Sequence, residues 1–267
     1  MKDMNNKAPA KNAIDNDLPD FSPAEQRVLD MVYDHNLPGL KRALAALLKT
    51  PAKTTDKDAD ALADLMDCCM LDAAELGFLD IIKFLHQEAK LAKVEPLDYP
   101  YGPEDTPLLY AAAAGATDVV KYLLQAGANP FALDETGVNL AQNAINSGNV
   151  ELAKYLIEDC KMPWQGYTWE GLSALHLAVD SQQPAMLEYV LALGALTYDQ
   201  PKFCPTECRK NFPIARYIDS LAETIASTWD QKADNADEQV QIQSQYATDL
   251  KNQYLEILAK YRRQHAK

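Results

Sequence analysis

The sequence predicts an all-α chain built by repeating one small unit. Two observations carry that expectation. First, Asp105–Ala128, DTPLLYAAAAGATDVVKYLLQAGA, holds two short helical patterns closed by Gly115 and Gly127, and glycine suits the left-handed residue that ends a helix. Second, the same pattern returns 33 to 34 residues later, twice. Helices this short are marginal alone in water, so such a unit persists only when neighbours stack on it. The result is a solenoid.

In chain order, Met1–Pro19 is polar and aperiodic, and a flexible tail is expected there. Ser22-Pro23-Ala24-Glu25 reads as a helix start, with Ser22 as N-cap, proline at the first helical position and glutamate at the third. Val28, Leu29, Met31 and Val32 supply its apolar side. His35–Gly39 breaks it, and Leu40–Leu48 forms a partner helix. Lys49–Asp60 is a charged connection, and Asp58 or Asp60 suits the cap of a helix over Ala61–Glu75. In Cys68–Ala89, Gly77, Ile81, Ile82 and Leu85 fall in register 38 residues before the founding unit. Lys93–Asp105 is a loop whose three prolines restrict its backbone.

Beyond the founding unit, Asn139–Cys160 places Gly148 on Gly115, and Leu156-Ile157 on Leu123-Leu124. Ser173–Ala195 repeats the step with Val190-Leu191 and Gly194. Leu196–Asn211 is irregular. Ile214–Trp229 is helical, Asp230–Asp237 is a polar break, and Glu238–His265 is a long amphipathic helix with Ile242, Tyr246, Leu250, Tyr254, Ile257, Leu258 and Tyr261 on one stripe. That stripe either packs across the end of the stack or meets a second chain. The organisation expected is a tail (1–20), an N-terminal helical cap and linker (21–60), repeats (61–200) and a C-terminal helical extension (201–267).

The units resemble the ankyrin repeat. The residues that carry the likeness are Thr106-Pro107-Leu108, Ser173-Ala174-Leu175-His176-Leu177-Ala178, Gly127-Ala128-Asn129 and Asp134-Glu135-Thr136-Gly137. It is close over about Tyr99–Ala195 and weaker over Ser22–Ala89. Asn139-Leu140 stands where the motif has Thr-Pro, Cys160-Lys161 where it has Gly-Ala, and Gln182 where it has the mid-repeat glycine. The array is read as about four repeats of a bacterial type. The resemblance implies a protein-binding module that uses its finger tips and the inner face of its first helices. It also implies that His176 bonds backbone between neighbouring repeats.

Composition narrows the function. The formal net charge is −14, which argues against nucleic acid and anionic membrane as partners, since both need a cationic surface. No secretory h-region or apolar membrane-length run is visible, so a cytoplasmic chain is expected, with a monomer favoured. Five cysteines at uneven spacing suggest no disulfide framework. Cys204–Cys208 lacks the second ligand pair a structural zinc needs, so no metal or cofactor is expected. No phosphate loop, HExxH or GxSxG motif occurs, and an enzyme would need its site in Leu196–Lys267. His86 occupies an apolar helix position and reads as packing.

Between Val94 and Gln200 fourteen acids face three lysines. Glu151, Glu158 and Glu188 fall on second helices and read as solvated faces. The finger residues Tyr99, Tyr101, Phe131, Asp134, Glu135, Trp164, Tyr167, Trp169 and Glu170 mix aromatics with carboxylates, a combination suited to anchoring a partner that presents arginine or lysine. Either both meet the partner, or Trp164 or Trp169 tucks under the C-terminal helices as core. The inner-helix positions Asn146, Ser147, Asp180 and Ser181 complete the expected concave site. The function expected is non-enzymatic binding of a basic protein, as an immunity or inhibitor protein, with a translocated effector or a stress scaffold as the other readings.

Overall fold

The computed structural model describes residues 21–49, 56–92, 106–169, 171–195, 214–227 and 236–264. The expected tail, the 93–105 loop with Tyr99 and Tyr101, Glu170, the 196–213 stretch with Cys204 and Cys208, and residues 230–235 of the expected polar break lie outside them, whereas Ala236 and Asp237 open the last helix. Twelve helices run through the described residues as six successive pairs. They are α1 (Pro23–Tyr33) with α2 (Leu37–Lys49), α3 (Asp56–Glu75) with α4 (Leu79–Ala92), α5 (Pro107–Ala113) with α6 (Thr117–Ala126), α7 (Leu140–Asn146) with α8 (Val150–Lys154), α9 (Ala174–Asp180) with α10 (Pro184–Ala192), and α11 (Ile214–Ser227) with α12 (Ala236–Gln264). Among the described residues the only sheet-like pairings are two isolated bridges, Leu133 with Asn139 and Tyr167 with Ser173. The fold is an all-α repeat array.

The first helices form one row, each packed on the next from α1 through α3, α5, α7 and α9 to α11. That is why Leu140–Ile145 and Ala174–Val179 are buried around their whole circumference. Ala111, Ala112, Ala141, Ala144, Ala174 and Ala178 keep this row slim enough for neighbours to approach. In the second row α4 meets α6, α8 meets α10, and α10 meets α12. These helices bury one face only, through residues such as Val119, Val120 and Leu123.

Helix starts follow the sequence. The Ser22 amide donates to Glu25 Oε2 at 2.7 Å while Ser22 Oγ accepts from the Glu25 amide at 3.4 Å. Thr106 Oγ1 accepts from the Leu109 amide ahead of Pro107. Asn139, which replaces the threonine of the motif, closes the same reciprocal cap with Gln142. Three starts differ from expectation, α12 by opening at Ala236 rather than Glu238. α2 begins at Leu37, because Asn36 Oδ1 accepts from the Gly39 amide and Pro38 fits the first turn. α3 begins at Asp56, so Asp58 and Asp60 lie inside the helix rather than capping it.

Each pair from α1–α2 to α9–α10 turns on a left-handed residue. The positions are His35 (φ 49°), Gly77 (72°), Gly115 (70°), Gly148 (75°) and Gln182 (54°). The substitution at Gln182 therefore changes the residue and leaves the turn intact. The second helices end at Gly127 (φ 100°), Lys161 (57°) and Gly194 (87°). Thirteen residues separate Gly148 from Lys161, against twelve from Gly115 to Gly127 and from Gln182 to Gly194. The extra residue is absorbed where α8 runs on as a π-helical turn, Tyr155–Asp159.

At the far end α11 packs on α9, and α12 on α10 and α11, burying Ile214, Ile218, Leu250, Tyr254, Ile257 and Leu258. Four tyrosine hydroxyls tie the pair to the last repeat. Tyr217 donates to the Asp180 carboxylate at 2.7 Å, Tyr254 to the Val179 carbonyl at 3.2 Å, Tyr246 to Gln182 Oε1 at 3.3 Å and Tyr261 to the Glu188 carbonyl at 3.3 Å. The stripe on α12 thus packs across the end of the stack, although Ile242 and Tyr246 near its start stay exposed.

Candidate functional site

Two fingers of common design precede α7 and α9. In the first, the Asp134 amide donates to the Val138 carbonyl and the Gly137 amide to the Asp134 carbonyl. In the second, Thr168 and Leu172 make the same pair at 2.9 Å, and Gly171 donates back to Thr168. The anchoring side chains are Asp134 and Thr168. Asp134 Oδ1 accepts from the Thr136 amide (2.9 Å), the Thr136 hydroxyl (2.7 Å) and the Val138 amide (2.9 Å), while Oδ2 accepts from Asn143 Nδ2 at 3.1 Å. Its charge is consumed in holding the finger onto α7. Thr168 is buried, and its Oγ1 accepts from the Leu172 amide.

The fingers touch. The Trp169 amide donates to the Thr136 carbonyl at 2.9 Å, and the Trp169 indole lies over Gly137, where a β-carbon would come within 2.5 Å of Cδ1. Gly137 has φ 76°, so backbone conformation and close approach both call for glycine. Even so, Trp169 stays 62% exposed, beside Phe131 at 70% and Leu133 at 40% in the neighbouring finger. Glu135, at the first tip, is exposed, and Tyr167 is half-buried.

The remaining expected site residues divide. Trp164 is only 6% exposed and belongs to the core cluster. This corrects its assignment to a binding surface: of the two finger tryptophans, Trp164 packs and Trp169 projects. Asn146 is exposed at the end of α7, a helix length of about 10 Å from the fingers. Ser147 and Ser181 cap their own turns, each donating to a carbonyl three residues back. Asp180 is covered by α11: both its oxygens accept from the Tyr217 hydroxyl, and burial raises its carboxyl above the usual range. Tyr99, Tyr101 and Glu170 lie outside the described residues.

Leu133 was absent from the expected set. Its place two residues after Phe131 in a finger was the available signal. His176 is buried against its own helix start, with Nδ1 accepting from the Ser173 amide at 3.1 Å and its ring edge-on to Tyr217. His86 is buried too, with Nδ1 2.8 Å from the Tyr122 hydroxyl.

Among the described residues no cluster of three or more histidine, cysteine or carboxylate side chains could hold a metal ion. Among the described residues no helix is long and apolar enough to cross a membrane. Two α3 carboxyls stand apart electrostatically. Burial and the neighbouring Asp64 push Asp67 up to about 7, and burial pushes Asp72 to about 6 against a hydrogen bond from Tyr33. Among the described residues, Asp67 Oδ1 has no hydrogen-bond partner.

The family model described as "Ankyrin repeats (3 copies)" matches residues 65–162 and 108–200, together half of the chain. Among curated proteins, the palmitoyltransferase AKR1 of Lachancea kluyveri is 44% identical over 84 residues, covering 26% of this chain and 11% of that protein. The human B-cell lymphoma 3 protein is 29% identical over 102 residues, covering 37% of this chain and 22% of that protein. The chain thus spans under a quarter of the length of these relatives. Both are eukaryotic, and the bacterial-type expectation gains no support from them.

Proposed function

The chain belongs to the ankyrin-repeat family, and on that premise we propose that its two described fingers bind a protein with a basic surface. The observation that carries the reading is the distribution of exposed apolar side chains. Among the described residues six large ones are exposed, and three of them, Phe131, Leu133 and Trp169, stand on two fingers that touch. Isolated exposed apolar residues are ordinary, whereas a cluster of aromatics in a polar setting marks a contact surface. Glu135 beside them and a formal net charge of −14 favour a partner that presents lysine or arginine. A finer reading within this one is an inhibitor that covers a basic protein.

No acyl-transfer activity is proposed from the yeast relative's name, because the similarity reaches only 11% of that protein. The test is affinity purification from the native cell with the wild-type chain and with a Phe131→Ser, Leu133→Ser, Trp169→Ala variant that melts at a similar temperature. A protein retained by the first and lost by the second supports the reading. Equal retention by both removes the fingers as the site.

A further inference from the structure

A repeated contact on the second helices uses residues that the finger site does not. Lys41 of α2 sits 5.3 Å from the ring centre of Phe84 on α4, and Lys83 of α4 5.6 Å from Tyr122 on α6. Lys121 of α6 then sits 5.1 Å from Tyr155, and Lys154 of α8 5.6 Å from Tyr189 on α10. Three of these lysines directly precede the ring that receives the previous contact, in Lys83-Phe84, Lys121-Tyr122 and Lys154-Tyr155. Each such pair takes a lysine from the helix before and sends one to the helix after.

The rings are held in place as well. His86, one turn beyond Lys83, meets the Tyr122 hydroxyl at 2.8 Å, and Glu158, one turn beyond Lys154, accepts from the Tyr189 hydroxyl at 3.0 Å. Lys and its companion therefore grip the next ring from one helix face, by face and by hydroxyl. Lys121 also approaches Glu151 at 3.8 Å.

At the next step the lysine is replaced by Glu188, directly before Tyr189. Here the direction of the contact reverses. Lys260 of α12 reaches back to Glu188 Oε1 at 3.6 Å, and the adjacent Tyr261 donates to the Glu188 carbonyl. A lysine at 188 would instead face Lys260 with like charge.

We propose that this lysine–aromatic row couples the repeats into one cooperative unit, and that Glu188 ends the row and fixes where α12 docks. An array of this kind is stabilised by the sum of its units and nearest-neighbour interfaces. A contact made at four successive interfaces therefore bears on whether neighbours unfold together.

The test is urea unfolding of the full chain carrying Lys83→Met, Lys121→Met and Lys154→Met together, which keeps the apolar stems and removes the charges. A lower midpoint with a broader transition is expected, and the matching Lys→Arg triple should restore both. Unchanged midpoint and slope in the Met triple would overturn the coupling. For the terminus, Glu188→Lys should speed amide exchange in α12 a few-fold and leave α6 unchanged, with Lys260→Glu in the same chain reversing the effect. Unaltered exchange in α12, or no reversal, would overturn the role of Glu188.

Discussion

The Trp169 indole rests on Gly137, close enough that a single added methyl would reach 2.5 Å from its ring. Gly137→Ala therefore has two costs, displacement of the indole and a left-handed backbone at φ 76°. We expect a loss of about 2 kcal/mol in stability, read by thermal melting, and altered Trp fluorescence as the ring leaves its seat.

Trp169→Ala separates packing from recognition. With the residue 62% exposed, its removal should lower the melting temperature only slightly. If Trp169 anchors the partner, affinity should fall by on the order of 2 kcal/mol. A large drop in melting temperature with unchanged affinity per folded molecule would make it a structural residue.

The two carboxylates at the first finger predict different outcomes. Asp134→Ala leaves the Thr136 and Val138 amides and Asn143 without their acceptor and should destabilise the chain by about 2 kcal/mol. Glu135→Lys should leave melting unchanged and slow association with a basic partner, most visibly at low salt.

A pH dependence follows from α3. Folding raises the carboxyl of Asp67 to about 7 and that of Asp72 to about 6. The folded state thus binds protons more tightly than the unfolded chain, and stability falls as pH rises through that range. The melting temperature should rise on acidification from pH 8 to pH 5. Asp67→Asn should flatten the trend and stabilise the chain at pH 8 by on the order of 2 kcal/mol. A wild-type curve that is flat or falls toward pH 5 would contradict this.

The array was legible because its period and its helix starts are written in local residue types. Gly77, Gly115 and Gly148 mark turns that any reader of glycine finds. His35, Lys161 and Gln182 adopt the same left-handed conformation without the residue that announces it, and His35 stacks on Phe78 and lies 2.9 Å from Asp80 of the following pair. The site was only half legible. Trp164 and Trp169 lie five residues apart in an aperiodic loop, and nothing local says that one is 6% exposed and the other 62%. Asp134 reads as a surface charge until Asn143, nine residues on, is seen to take its second oxygen. Glu151, Glu158 and Glu188, read as solvated faces, are exposed, yet each meets a neighbouring helix. The Lys-Phe and Lys-Tyr pairs at 83, 121 and 154 recur at the repeat spacing and could have been found from the sequence.

The π-helical turn at Tyr155–Asp159 has a bearing on how such a chain tolerates editing. One surplus residue enters after Gly148, and from Lys161 onward the spacing is regular again, with 21 residues to Gln182, as from Gly127 to Gly148, and twelve more to Gly194. The left-handed pivots act as error-correcting marks: a length fault is contained between two of them and is not handed on. Cuts and grafts made from pivot to pivot should therefore join cleanly, whereas those made within a helix would carry their misalignment to the next mark.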